Sequence, residues 1–306
     1  MMLGHALALL GGLAILLFGA DRVVSSVVAI AEAFGVPTLL VGGTLVAIGS
    51  SIPEVTTAVY AGIYGAGDFV VGHIIGSATS QITLGVGVVA LLSPLRLSRE
   101  KVTVYGVGMI AAMALMLLGL RSGTLTRVEG AGLVAAYLVF VAVRLRDGEH
   151  AGAIERHRDP DRSLARAGLW LVVGFALVVV GGHLLVVNSR ALAVALAVPE
   201  YLVGLVTGLG TTAPEIVIAA LAVGRDEGDI AIGTLFGSNV TDPLFSLGLG
   251  ALVDGYAIEQ VGATMASGTY MLAVATLVVL VFYVNGGISR KAAVGCIALY
   301  APTYVL

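Results

Sequence analysis

Charge is what this chain of 306 residues has least of. Asp, Glu, Lys and Arg together make up 11% of it, whereas a soluble domain carries about 25%. That scarcity excludes an ordinary water-soluble globule, because 58% apolar residues and a mean hydropathy of +1.03 leave too little polar surface to face water. Cysteine is almost absent as well. A lone Cys296 excludes an intrachain disulfide and a thiolate metal cluster, and leaves packing as its role. There is no basic stretch of the kind nucleic acid requires. The first twenty residues have an apolar run but no basic segment ahead of it, so they read as a retained first span rather than a cleaved leader.

What remains is long apolar stretches, and these predict an all-α polytopic membrane protein. Ten transmembrane helices are expected, at about 3–33, 38–64, 68–94, 101–120, 127–145, 166–197, 200–224, 229–253, 261–284 and 288–305. The first and sixth are long enough to break at Asp21-Arg22 or Asn188-Ser189-Arg190, which would change the count. Tilting is the preferred alternative. The one sizeable polar loop spans 147–165 and divides the chain into 1–146 and 166–306. Placing both termini outside the cell membrane makes that linker cytoplasmic. Twelve Arg and Lys residues, from Arg96 to Lys291, then fall in inner loops and only Arg121 and Arg127 in outer ones, as the positive-inside tendency requires.

Two stretches stand out within these runs. Gly49-Ser50-Ser51-Ile52-Pro53-Glu54 is echoed by Gly210-Thr211-Thr212-Ala213-Pro214-Glu215. Each puts hydroxyls, a proline and a carboxylate where a membrane helix is normally apolar. A carboxylate there costs roughly 2.5–3.5 kcal/mol on insertion scales, so it marks function by default. The echo continues. At a constant offset of 161, eleven positions from Gly43 to Ser77 are identical to their counterparts between Gly204 and Ser238, and Gln81 meets Asp242. Upstream the offset becomes 162, where Val36-Pro37 matches Val198-Pro199. This is an internal duplication, with motifs at 42–81 and 204–242. Five spans separate equivalent points, an odd number, so the two five-helix repeats are inverted. Inverted repeats with interrupted helices at their interface characterise alternating-access transporters.

The residue types suit a hard cation. Pro53, Pro214 and Pro243 cannot donate to the carbonyls of Gly49, Gly210 and Asn239, and freed carbonyls at membrane depth need a partner. Around them stand the carboxylates of Glu54, Glu215 and Asp242, the amide of Gln81, and the hydroxyls of Ser50, Ser51, Ser77, Thr211, Thr212 and Ser238. Every candidate donor is oxygen, which favours calcium, sodium or magnesium. Gly49, Gly72, Gly76, Gly210, Gly233 and Gly237 would let helices approach closely around the site.

The paired Gly-(Ser/Thr)-(Ser/Thr)-x-Pro-Glu motifs, each followed by Gly-x-x-x-Gly-Ser, resemble the two alpha-repeats of the cation/calcium exchanger superfamily, especially its prokaryotic sodium/calcium exchangers. The resemblance covers nearly the whole chain. It implies an antiporter that extrudes calcium on the sodium gradient, with no cofactor and with the monomer sufficient for transport. It implies that Glu54 and Glu215 are central calcium ligands shared by sodium. Ser51, Ser77, Thr212 and Ser238 would line flanking sodium sites, and backbone carbonyls near Ala47, Ser50, Gly208 and Thr211 would complete them. It also implies that the two long spans slide across the other eight. Gln81 departs from the family's Asn, and His73 stands where Asn is common.

Other readings exist for the same residues. Glu54 and Glu215 would be structural if they paired with Arg22 or Arg190. Asp242 can cap a helix fragment, hydroxyls can bond their own backbone, Gln81 can join helices, and His73 can simply pack. On the same fold, the exchange could be coupled to protons. An intramembrane enzyme is disfavoured, because no Gly-x-Ser-x-Gly or His-Glu-x-x-His motif is present. A channel would need symmetric subunits around a pore.

Overall fold

The computed structural model describes residues 2–33, 51–96, 99–146, 164–224 and 228–304. The expected ligands Ala47 and Ser50, and Gly49, lie outside the described residues, as does most of the 147–165 linker.

Helices dominate, and two of them are long. α1 (Met2–Ala33) and α7 (Leu164–Leu196) are both continuous, so neither breaks at Asp21-Arg22 or at Asn188-Ser189-Arg190. Glycines set their packing. A Cβ on Gly12 would lie 3.1 Å from the Gly181 carbonyl oxygen, and one on Gly19 would lie 2.9 Å from that of Gly174. Low numbers on one helix meet high numbers on the other, so α1 and α7 run antiparallel. The glycines correspond at an offset of 162, and each faces the counterpart of the other.

The remaining helices build the core. They are α2 (Ile52–Tyr64), α3 (Gly67–Ser80), α4 (Val86–Leu92), α5 (Arg99–Leu120) and α6 (Arg127–Arg146) in the first half of the chain. The second half adds α8 (Glu200–Thr211), α9 (Ala213–Val223), α10 (Gly228–Thr241), α11 (Leu247–Asp254), α12 (Val261–Asn285) and α13 (Arg290–Ala298). Two of the expected spans show internal detail. The stretch 200–224 is interrupted at Thr212, where α8 gives way to α9, because Pro214 has no N–H for the Gly210 carbonyl. The stretch 288–305 holds α13, which ends at Ala298, and a 3-10 turn at Ala301–Tyr304. Among the described residues, six segments are long and apolar enough to cross a membrane: Met2–Ser26, Gly67–Leu92, Val102–Leu120, Leu164–Leu196, Glu200–Ala220 and Val261–Asn285.

Two widened turns punctuate the core. α3 passes into α4 through a π-helical turn at Gln81–Gly85, and α10 passes into α11 through another at Asp242–Ser246. They correspond at an offset of 161. Pro243 accounts for the second by deleting one ladder hydrogen bond. The first has no proline. There the hydroxyls of Thr79, Ser80 and Thr83 donate to the carbonyls of Ile75, Ser77 and Thr79 at 2.6–2.9 Å, and such back-bonding bends a helix.

Four two-residue strands tie the ends. β1 (Leu95–Arg96) pairs antiparallel with β4 (Gly287–Ile288), and β2 (Thr124–Leu125) with β3 (Tyr256–Ala257). β1 and β3 correspond at an offset of 161, and β2 and β4 at 163. Each strand therefore pairs with the counterpart of its own neighbour. The buried core lies along α3, α5, α8, α10 and α12, where Phe69, Ile74, Met109, Met113, Phe236 and Phe282 are buried.

Candidate cation-binding site

The site is assembled where α3 and α8 touch backbone to backbone. A Cβ at Gly72 would lie 2.2 Å from the Tyr201 carbonyl oxygen, and one at Gly76 would lie 2.4 Å from that of Leu205. From the other side, Gly204 and Gly208 would meet the carbonyl oxygens of Phe69 and His73 at 2.1 and 2.3 Å. Expected close-approach residues Gly72 and Gly76 therefore have that role, against Gly204 and Gly208. Gly210 instead packs on the Leu13 side chain, and Gly233 and Gly237 meet no described atom within 4 Å.

Glu54 and Glu215 occupy equivalent places. Each stands in the first turn of a helix, directly after a proline, at the starts of α2 and α9. Free N–H groups there carry partial positive charge, the one backbone environment that favours a carboxylate. Both side chains are fully buried, and none of their four carboxylate oxygens has a hydrogen-bond partner among the described residues. Leaving such groups unsatisfied costs several kcal/mol per ion in order of magnitude. Among the described residues no ion pair with a basic side chain offsets them. Arg190 bonds Glu200 at 2.9 Å and the Tyr64 carbonyl, while Arg22 lies over Phe18 and Trp170 with its centre 4.7 and 5.0 Å from the rings. The pairing of Glu54 or Glu215 with Arg22 or Arg190 is therefore not made.

Asp242 is the third buried carboxylate. Glu54 is repelled by both Glu215 and Asp242, and Glu215 by Asp242. The three do not converge on one point: among the described residues, no three His, Cys, Asp or Glu side chains are arranged to hold a metal ion between them. Asp242 keeps Oδ1 unpartnered, with the hydroxyls of Ser51 and Ser246 beside it. Its Oδ2 faces the Gln81 amide, Nε2 to Oδ2 being 3.4 Å.

Hydroxyls fill the space between. Ser77 and Thr212 are joined Oγ to Oγ1 at 2.9 Å across the two halves. His73 Nε2 lies 2.8 Å from the Thr211 hydroxyl, which is itself beside Glu54. Ser51 and Ser238 are buried, and the Ser51 hydroxyl has no hydrogen-bond partner among the described residues. The Gly208 carbonyl already accepts from Thr212 N at 3.1 Å and from Thr212 Oγ1 at 2.8 Å. The structure thus gathers Glu54, Glu215, Asp242, Gln81, Ser51, Ser77, Thr211 and Thr212 in one buried region, with Ser238, on α10, buried one turn before Asp242.

Three residues of the region escaped the motif reading. Thr57 and Ser246 have buried, unpartnered hydroxyls, and Asn239 is buried with Oδ1 unpartnered. Spacing was the available signal for two of them: Thr57 lies one turn after Glu54, and Ser246 one turn after Asp242. Asn239 replaces Ala78 of the first half, so only the departure from the repeat marks it.

The family model for the sodium/calcium exchanger protein matches residues 4–146 and 167–306. The chain belongs to the sodium/calcium exchanger family. Its relatives include a putative antiporter, CaxA, of Alkalimonas amylolytica, 30% identical over 98% of this chain and 97% of the relative. The inner membrane protein YrbG of Escherichia coli K12 is 32% identical over 83% and 81%. The sodium/calcium exchanger MaX1 of Methanosarcina acetivorans is 28% identical over 92% and 91%. Among solved structures, the sodium-calcium exchanger NCX_Mj soaked with sodium and strontium superposes with a TM-score of 0.65 at 26% identity, covering 100% of this chain and 99% of that one. This exchanger is therefore a multi-helix membrane antiporter of the cation/calcium exchanger superfamily, not an enzyme.

Proposed function

We propose that this exchanger moves calcium outward in return for sodium by alternating access. The observation that carries the reading is the pair of fully buried carboxylates, Glu54 and Glu215, whose four oxygens have no partner among the described residues. A desolvated cation compensates them and their mutual repulsion. Calcium takes six to eight oxygens, and sodium accepts the same hard donors. Glu54 and Glu215 are the central ligands in this reading. Ser51, Ser77, Thr212 and Ser238 serve flanking sodium positions, completed by the carbonyls of Ala47, Ser50 and Thr211. The empty site carries excess negative charge, so the empty protein resists occlusion, and ions exchange instead of leaking.

The same reading takes the chain as ten spans in two inverted five-helix halves, 1–146 and 166–306, joined by a cytoplasmic 147–165 linker with both termini outside. Two reciprocal contacts and one correspondence support it: antiparallel α1 and α7 joined through corresponding glycines, the crossed pairing of the four short strands, and the equivalent positions of the π turns. The names of MaX1 and NCX_Mj as sodium/calcium exchangers support sodium as the coupling ion.

Buried His73, hydrogen-bonded to Thr211, favours one alternative, coupling to protons on the same fold. Proteoliposomes loaded with sodium separate the two. The proposal predicts calcium uptake that collapses when internal sodium is replaced by an impermeant cation. Uptake that persists without sodium and acidifies or alkalinises the lumen would assign the coupling to protons.

A further inference from the structure

Asp21 is the first acidic residue of the chain and Arg22 the first arginine, and the cation site uses neither. α1 carries them against the start of α7. A Cβ on Gly174 would lie 3.0 Å from the Val23 backbone nitrogen, so Arg22 is level with the turn of α7 that holds Trp170. Its guanidinium centre lies 4.7 Å from the Phe18 ring centre and 5.0 Å from that of Trp170. Nε is buried and has no hydrogen-bond partner among the described residues. The side chain as a whole is not enclosed: Arg22 is 39% exposed and Asp21 65%. The two approach only to 3.8 Å, Nε to Oδ2, which is beyond hydrogen-bond distance. Around them the surface is apolar, with Phe18, Leu169 and Val172 exposed. In a membrane antiporter that face meets lipid. Tryptophans collect at the membrane boundary, and exposed Arg166, one turn before Trp170, marks the same level, since long basic side chains reach for the headgroups.

We propose that Asp21, Arg22 and Trp170 form a binding site for a phospholipid headgroup that carries a primary ammonium, the phosphatidylethanolamine class. The guanidinium of Arg22 donates to the phosphate oxygens, a match of planar fork to oxyanion. Phe18 and Trp170 already hold that guanidinium by cation–π contact, so little of its freedom is left to lose on binding. The Asp21 carboxylate accepts from the ammonium. Residue pair and headgroup each carry one charge of either sign, and both members of the pair gain the partner they lack within the protein. A quaternary choline ammonium has no N–H to give Asp21, and a glycerol headgroup brings no positive charge, so either binds more weakly. The site is one-sided. At the offset of 162, Asp21 and Arg22 meet His183 and Leu184, and Trp170 meets Ala8, so the opposite end of the α1–α7 pair has no equivalent. The lipid site stands without the orientation proposed above; with it, the site faces the cytoplasmic leaflet and ties that end of the pair to the headgroup layer.

The test is native mass spectrometry of the purified full-length protein, incubated in detergent with phosphatidylethanolamine or phosphatidylcholine of identical acyl chains and read on the first bound lipid. The wild type, Asp21→Asn and Arg22→Gln are compared. The wild type is expected to hold phosphatidylethanolamine about tenfold more tightly than phosphatidylcholine, the effect of one charge-assisted hydrogen bond. Asp21→Asn, an exposed substitution, is expected to abolish that preference, and Arg22→Gln to weaken the binding of both lipids. Equal binding of the two lipids by the wild type, a preference kept by Asp21→Asn, or unchanged binding in Arg22→Gln overturns the proposal. If Arg22→Gln fails to fold, as judged by size-exclusion chromatography, Trp170→Leu takes its place, because it removes the stacking surface and is expected to weaken both lipids in the same way. Glycerophosphoethanolamine, the same headgroup without acyl chains, is added as a competitor at matched concentration. Displacement of the lipid by it would give the site to a soluble phosphoester, and a wild-type dimer that excludes lipid and disappears in Arg22→Gln would give this face to a second copy of the chain; either result overturns the lipid site.

Discussion

At the scale of single residues, the account turns on what a buried carboxylate requires. Glu54 and Glu215 lie in the one place on a helix where the backbone favours an anion, and their oxygens still lack hydrogen-bond partners among the described residues. Glu54→Gln replaces the buried charge with a neutral group of the same shape. The ion-free variant is expected to melt at a higher temperature than the ion-free wild type, by an amount corresponding to about 1–3 kcal/mol. The gain from added calcium should vanish in the same variant. For the wild type at one hundred times Kd, binding adds about 2.7 kcal/mol, visible as a rise in Tm. Thermal melts of detergent-solubilised protein with and without calcium check both statements. A calcium-induced rise retained by Glu54→Gln would count against the site. Arg22 and Arg190 illustrate how residue-level alternatives were decided. Both stand in long apolar helices and either had the charge to serve Glu54 or Glu215, but Arg190 is held by Glu200 and the Tyr64 carbonyl, and Arg22 by two aromatic rings.

At the scale of elements, helix breaks and glycine contacts set the geometry. Gly76→Ala would bring a methyl group 2.4 Å from the Leu205 carbonyl oxygen, so α3 and α8 must separate. The expected cost is about 1–3 kcal/mol, with a loss of calcium uptake larger than the loss of folded protein, because Ser77 and Thr212 part as well. Flux normalised to folded protein in the membrane measures this. The link after α7 behaves in the opposite sense. Ala197 sits in the left-handed region at φ 53°, where a side chain costs about 1–2 kcal/mol per residue. Ala197→Gly is expected to raise Tm with little change in transport. These details also show what could be read from the residues. Pro214 announced the break between α8 and α9, and the Gly-x-x-x-Gly of 72–76 announced close packing. Gly204 and Gly208 as its partners were not legible, since helix pairing is tertiary. The π turn at Gln81 was equally hidden, because no proline marks it. At 288–305 the apolar composition continues past α13, whereas the α-helix ends at Ala298 and a 3-10 turn follows at Ala301–Tyr304.

At the scale of the whole molecule, the contacts divide the protein into a long antiparallel pair, α1 and α7, and the helices packed around the site. Corresponding glycines and the 3.0 Å contact between His5 and Asn188 bind the pair to itself. Its side-chain links to the core include His183 to Tyr64 at 2.7 Å and Arg190 to the Tyr64 carbonyl. If the pair slides as a unit, cross-links have opposite effects according to where they are placed. In a Cys296→Ser background, His5→Cys with Asn188→Cys should support sodium-driven calcium uptake in the oxidised state. Tyr64→Cys with His183→Cys should lose it on oxidation and recover it on reduction. The duplication behind this arrangement was legible from identities at a fixed offset, whereas the crossed strand pairing needed coordinates. The central claim is that a cation binds, stripped of water, between the two halves. Its most direct measurement is the anomalous difference density of crystals soaked in strontium, a heavier analogue of calcium. The account predicts one strong peak within coordinating distance of carboxylate oxygens of both Glu54 and Glu215; density that touches only one of them, or lies elsewhere in the molecule, would contradict it.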